Sequence, residues 1–171
     1  MAAAPGSPKW QAVLARFPGA RLSVAGSGPE ATALAELAQS LGIAAQVRFS
    51  GRLDREQMAA LYRDAHLMLN ASRVDNMPNA VLEALASGVP VVSTRAGGIP
   101  FMVKDGHTAM LVAVDDAAAM AAAAIEVLAN HDLRSRLVAA GLVEAQRYQW
   151  STVRDTLLAT YTETIGAIPG Q

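Results

Sequence analysis

Short apolar runs alternate along this chain with segments of helical periodicity, and that order constrains the fold more than any other feature. Residues 21–25 (RLSVA) form a β-branched, apolar run that stops at Gly26-Ser27-Gly28-Pro29, and 30–41 then carries Leu34, Leu37, Ala38 and Leu41 at helical spacing before Gly42. A second strand is predicted at 47–50, followed by Gly51 and a helix over 54–65, with Asp54 as its N-cap and Met58, Leu61 and Tyr62 on one face. The unit repeats with a strand at 67–70, a short helix at 79–86 closed by Gly88 and Pro90, and a strand at 91–94. Gly97-Gly98-Ile99-Pro100 turns into another short helix, 110–112 is a last strand, and helices are predicted at 117–129, 133–145 and 151–165. Strands alternating with helices predict an α/β fold with one doubly wound parallel sheet covered on both faces. Ligands of such sheets sit beyond the carboxyl ends of the strands, so the loops at Gly26, Gly51, Ser72 and Thr94 are expected to face one crevice.

Composition narrows the classes further. A chain of 171 residues, 52% apolar, is long enough for one domain with its own core and too apolar for disorder. Net charge of −1 supplies no basic field for nucleic acid, and no apolar stretch reaches the ~18 residues of a membrane span. The absence of cysteine removes disulfides and thiolate chemistry, and nothing at the start resembles a signal peptide. Residues 1–9 are therefore expected to be a disordered lead or cloning remnant, 10–171 the domain, and the location cytoplasmic. His66, His107 and His131 are isolated and no acid cluster has ligand spacing, so no metal is expected. Met110, Leu111, Val112 and Val114 are read as core strand. The stripe Tyr148, Trp150, Val153, Leu157 and Tyr161 is read first as core packing, with a missing half of the protein as its other partner, and a larger-than-usual exposed apolar patch is expected there.

The densest chemical signal lies between Asn70 and Pro100. A strand leads into a loop with Asp75 and Asn76, a helix begins near Pro78-Asn79, and Glu83 lies in its first turns. Two carboxylates eight residues apart would thus converge on one helix N-terminus. Its free N–H groups attract a phosphate, while a neighbouring carboxylate accepts hydrogen bonds from sugar hydroxyls. On spacing alone the alternative stands beside it: Glu83 as a favourable first-turn acid and Asp75-Asn76 as an ordinary turn. A separate pattern, Gly26-Ser27-Gly28-Pro29-Glu30-Ala31, fits the G-x-G-x-x-A dinucleotide fingerprint and suggests an NAD(P)-binding oxidoreductase. Against it, Pro29 removes an N–H where a pyrophosphate needs donors, and the first acid after the second strand is Asp54.

Several motifs in order bear a family resemblance. Leu82-Glu83-Ala84, Gly88-Val89-Pro90-Val91-Val92 and Gly97-Gly98-Ile99-Pro100 resemble the donor-site signature of the retaining GT-B glycosyltransferases of family 4, the group 1 transferases. Phe17-Pro18-Gly19-Ala20-Arg21-Leu22, Val47-Arg48-Phe49-Ser50-Gly51, Leu61-Tyr62-Arg63-Asp64-Ala65 and Lys104-Asp105-Gly106 follow the same order, over roughly residues 10–165. The resemblance implies the C-terminal, donor-binding half of an enzyme that moves a hexose from a nucleoside diphosphate sugar to an acceptor held by an N-terminal domain. No further cofactor is implied. Glu83 would bind the ribose hydroxyls and Asp75 would lie near the hexose. Asn76, Met77 and Pro78 would face the sugar through their backbone, and the amides of Val81 and Leu82 would face the pyrophosphate. Arg52 and Leu53 would border the base, and the turn from Gly26 to Gly28 would let backbone approach the nucleotide.

Three departures accompany the match. Asp75 is one methylene shorter than the family's usual Glu, within Asp75-Asn76-Met77-Pro78-Asn79, a form some members share. Phe101 stands where many members place an acid, and the basic pair that steadies the diphosphate would lie upstream of this chain. A non-catalytic binding module and a sugar-nucleotide epimerase of the same architecture are the remaining alternatives.

Overall fold

The computed structural model describes residues 10–166, with side chains described as far as Thr162, so the expected lead at 1–9 lies outside the described residues. The elements follow in the order α1 (Trp10–Arg16), β1 (Leu22–Ala25), α2 (Ala31–Ser40), β2 (Val47–Gly51), α3 (Arg55–Asp64), β3 (Met68–Asn70) and α4 (Asn79–Ala86). β4 (Val91–Thr94), α5 (Ile99–Met102), β5 (Met110–Val112), α6 (Ala117–Ala129), α7 (His131–Gln146) and α8 (Trp150–Gly166) complete it. Helix α1 buries only Val13, which leaves too little periodicity for the sequence to announce it.

Local chemistry sets the ends of these elements. Asp54 and Gln57 form a reciprocal capping box at α3: the Gln57 amide donates to Asp54 Oδ1 at 2.8 Å and the Asp54 amide to Gln57 Oε1 at 3.0 Å. Asp116 caps α6 and Asn130 caps α7 in the simpler way, each accepting from an amide three residues on. Helix α4 ends in a Schellman motif, with Gly88 at φ +70° donating to Leu85 O and Val89 donating to Ala84 O.

All strand pairs are parallel, as the alternation predicts, but they form two sheets instead of one: β1–β2, and β3–β4–β5 with β4 in the middle. Strands β1 and β3 do not pair; a cavity of about 810 Å³ lined by residues of both lies between them.

Strand β4 is buried along its whole length and divides the core. Val91 points into a cluster with Val81, Ala84, Leu85, Ile99 and Leu111, whereas its neighbour Val92 joins Met120, Val127, Leu133 and Leu137 on the opposite face. Helix α7 lies against α4 at Gly141, where a Cβ would come within 2.7 Å of Leu85 Cδ2. Two expectations about apolar residues change. Val114 lies beyond β5 and is 38% exposed, and Trp150, Val153, Leu157 and Tyr161 are not packed in the core but exposed on α8, as the expected apolar patch.

Candidate functional site

The loops at the carboxyl ends of the strands are tied in pairs that match the two sheets. Gly26 donates to Gly51 O at 2.7 Å, joining the loops after β1 and β2. The loops after β3 and β4 are joined more heavily. Asn70 Nδ2 donates to Ser93 Oγ at 3.0 Å, Ser72 Oγ to Asn70 Oδ1 at 2.9 Å, and Thr94 Oγ1 to Ser72 O at 2.6 Å. All four residues are buried, so each polar group is matched inside the protein. Ser72 Oγ also lies 3.3 Å from Asp75 Oδ2, which ties the half-buried acid to this network.

Two glycines complete the junction. The Gly98 amide donates to Asp75 O at 2.9 Å. A Cβ at Gly97 would sit 2.0 Å from Asp75 O and one at Gly98 2.0 Å from Asn76 O, so only residues without a side chain permit this approach. Gly97 also holds φ +49°. The Gly-Gly pair therefore places the loop that carries Asp75, Asn76, Met77 and Pro78.

Glu83 is held from another direction. It stands in the second turn of α4, whose first turn contains no acid, and this removes the reading of Glu83 as a first-turn charge. Tyr62, at the end of α3, donates its hydroxyl toward Glu83 Oε2 and Ala80 O, each at 3.2 Å. Burial first, and then the charge of Glu83, raise the Tyr62 phenol above its ordinary value, so it remains a donor. Glu83 is exposed on its other side and borders a recess of about 550 Å³ with Leu53, Asp54, Met58, Tyr62 and Ser87.

The expected residues thus divide into groups. Leu53 and Glu83 line one recess, and Arg52, next to Leu53, is exposed with no ion pair among the described residues. Asp75 lies in the loop ahead of α4 and Glu83 within α4, but Asp75 does not line the recess, and Gly26 and Gly28 lie exposed on the loop after β1. At the tip of α4 the Val81 amide already donates to Pro78 O at 3.0 Å and that of Leu82 lies 3.5 Å from it. Among the described residues the amides of Asn79 and Ala80 have no backbone partner and are the ones open to an anion. Met77 is 48% and Phe101 90% exposed, whereas Pro78 is buried. Arg73 pairs with Asp115 at 2.7 Å, and Arg95 pairs with Asp105, so both cations are engaged. No group of three metal-ligating side chains occurs among the described residues.

Sequence reasoning did not assign roles to Tyr62, Asn70, Ser93 and Thr94. Asn70, Ser93 and Thr94 gave one usable signal: polar residues at the ends of strands otherwise apolar enough to be buried. Tyr62 shares the apolar face of α3 with Met58 and Leu61, and it entered the resemblance only as part of Leu61-Tyr62-Arg63-Asp64-Ala65, with no role attached.

Comparison with known proteins adds the family. A model of the glycosyl transferases group 1 matches residues 8–130. The D-inositol 3-phosphate glycosyltransferase of Streptomyces coelicolor is 36% identical over 144 residues, which is 81% of this chain and 32% of that protein. Among solved structures, Anabaena HepE in complex with UDP-glucose superposes with a TM-score of 0.81 at 19% identity, covering 95% of this chain and 46% of that one. The C-terminal domain of LpcC, a group 1 family protein from Francisella tularensis, gives a TM-score of 0.73 at 22% identity, over 82% of this chain and 75% of that one. The chain spans about a third of the length of the curated relatives it matches.

Proposed function

The chain belongs to the group 1 glycosyltransferases and has the fold of their GT-B C-terminal half, and from that premise we propose that it is the donor-binding half of a retaining family 4 enzyme. Its donor is a nucleoside diphosphate hexose, and the acceptor is held by an N-terminal domain. Residues from 10 onward form the domain, and the work is cytoplasmic; no helix among the described residues is long and apolar enough to cross a membrane.

The observation that carries this reading is the shared recess of Leu53 and Glu83. A carboxylate with an exposed edge accepts two hydrogen bonds from a vicinal diol, and Leu53 with Met58 offers an apolar wall to a base, beside the unpaired Arg52. Farther along, the open amides of Asn79 and Ala80 and the dipole of α4 suit the diphosphate, while Asp75 suits the hexose hydroxyls. Transfer with retention needs the departing diphosphate stabilised while an oxocarbenium-like sugar is held against the acceptor. Fixed amides and carboxylates provide that kind of electrostatic positioning. The dinucleotide alternative gains no support, because the turn from Gly26 to Gly28 is followed by Pro29, which has no N–H to donate.

Calorimetric titration with uridine, guanosine and adenosine diphosphates and their sugars tests the proposal. One base series should bind, and Glu83→Ala should weaken it by about 1.5–3 kcal/mol, roughly 10- to 150-fold, with the melting curve unchanged. An affinity unaltered by Glu83→Ala for every nucleotide would overturn the role.

A further inference from the structure

We propose that Tyr62 is a positioning residue: its hydroxyl anchors one oxygen of Glu83 so that the carboxylate meets a ribose diol in a preset orientation. The inference rests on the reading of Glu83 as the acid that binds ribose.

Tyr62 is buried among core side chains and 8% exposed, whereas Glu83 is exposed on the rim of the recess. An exposed glutamate ordinarily samples several rotamers, and ligand binding must then select one. Here the phenol reaches out of the core to Glu83 Oε2 at 3.2 Å. Satisfying its own buried hydroxyl does not require that contact, since Ala80 O lies at the same distance. A hydroxyl has one proton, so it divides its donation between the two acceptors. Anchoring Oε2 in this way leaves Oε1, and the second lone pair of Oε2, for hydroxyls arriving from the recess. The phenol holds its proton well above the ordinary range, because of burial and then the nearby carboxylate, so it does not become a competing anion.

The same helix supplies the rest of the frame. The capping box fixes the start of α3 beside Leu53, Met58 lines the recess one turn on, and Tyr62 ends the run at Glu83. One rigid element therefore relates the loop expected at the base to the acid expected at the ribose.

Titrating UDP against its 2′,3′-dideoxy analogue separates positioning from structural support, with GDP or ADP and their dideoxy analogues used instead if the base screen selects one of those. Wild-type chain should prefer the ribonucleotide by at least about tenfold, and Glu83→Gln should abolish most of that preference. Tyr62→Phe keeps the ring and removes the hydroxyl; it should reduce the preference to about threefold or less while binding of the dideoxy analogue stays within twofold of wild type. If wild type shows no preference, or Glu83→Gln retains it, the reading of Glu83 fails and takes this inference with it. If those two results hold and Tyr62→Phe retains the full preference, the positioning role alone is overturned. Equal weakening of both ligands, or loss of the fold, assigns the hydroxyl to stability and also overturns it.

Discussion

The two sheets of this molecule are built to different standards. Strands β3, β4 and β5 run between two core clusters, and neither cluster includes a residue before Met58. The β1–β2 pair has Val24, 8% exposed, as its one buried strand residue, and α2 buries only Ala38. At the strand ends the contrast repeats: a buried polar network and a glycine pair on one side, a single backbone bond at Gly26 on the other. Rigidity is thus concentrated where the Asp75 loop and the tip of α4 must be placed, and the half that carries Arg52 and Leu53 has less holding it.

Gly97→Ala attacks the stronger half at its tightest point and should have the largest effect. The added Cβ meets the Asp75 carbonyl at 2.0 Å on a backbone already at φ +49°, so a loss of about 3 kcal/mol is expected in urea unfolding, together with loss of nucleotide binding. Next comes one substitution made in both halves. Val92→Ala removes two methyls from a fully buried site and should cost about 2–3 kcal/mol, whereas Val24→Ala, at an edge already partly open, should cost about 1 kcal/mol. Equal costs would dissolve the contrast. Asp54→Ala removes the capping box that begins α3 and should cost about 1 kcal/mol, with binding weakened because the recess is built on that helix.

The smallest effect is a pH dependence. The raised phenol of Tyr62 means that the folded protein keeps a proton which the unfolded chain releases near pH 10. Its stabilising contribution is complete below that pH and is lost as the pH rises toward the folded value. The urea midpoint of wild type should therefore fall above about pH 10 more steeply than that of Tyr62→Phe.

Much of the stronger half was legible in the sequence. The runs at β3 and β4, the stop at Gly88 and the pattern Gly97-Gly98 are local signals, each set by residues adjacent in the chain. Asp54 was readable as a cap for the same reason. What escaped depends on contacts between distant segments. The separation of β1 from β3 is a tertiary outcome that no periodicity encodes, and the pull of Tyr62 on Glu83 spans twenty-one residues. The stripe on α8 shows the limit of amphipathic reasoning: spacing reveals that a helix has an apolar side, not what that side meets. At the site, Leu53 and Glu83 were named together through a family resemblance, while the partners that hold Asp75 and Glu83, Ser72 and Tyr62, come from distant or looped segments that spacing does not reveal.

The chain of hydroxyls and amides from Asn70 through Ser72 and Ser93 to Thr94 has a thermodynamic corollary. Because every link is made inside the protein, the segment ahead of α4 would, on the proposed function, already be in its working shape when a donor arrives. Little of the intrinsic affinity is then consumed by ordering that segment, and association there should resemble docking onto a finished surface more than coupled folding.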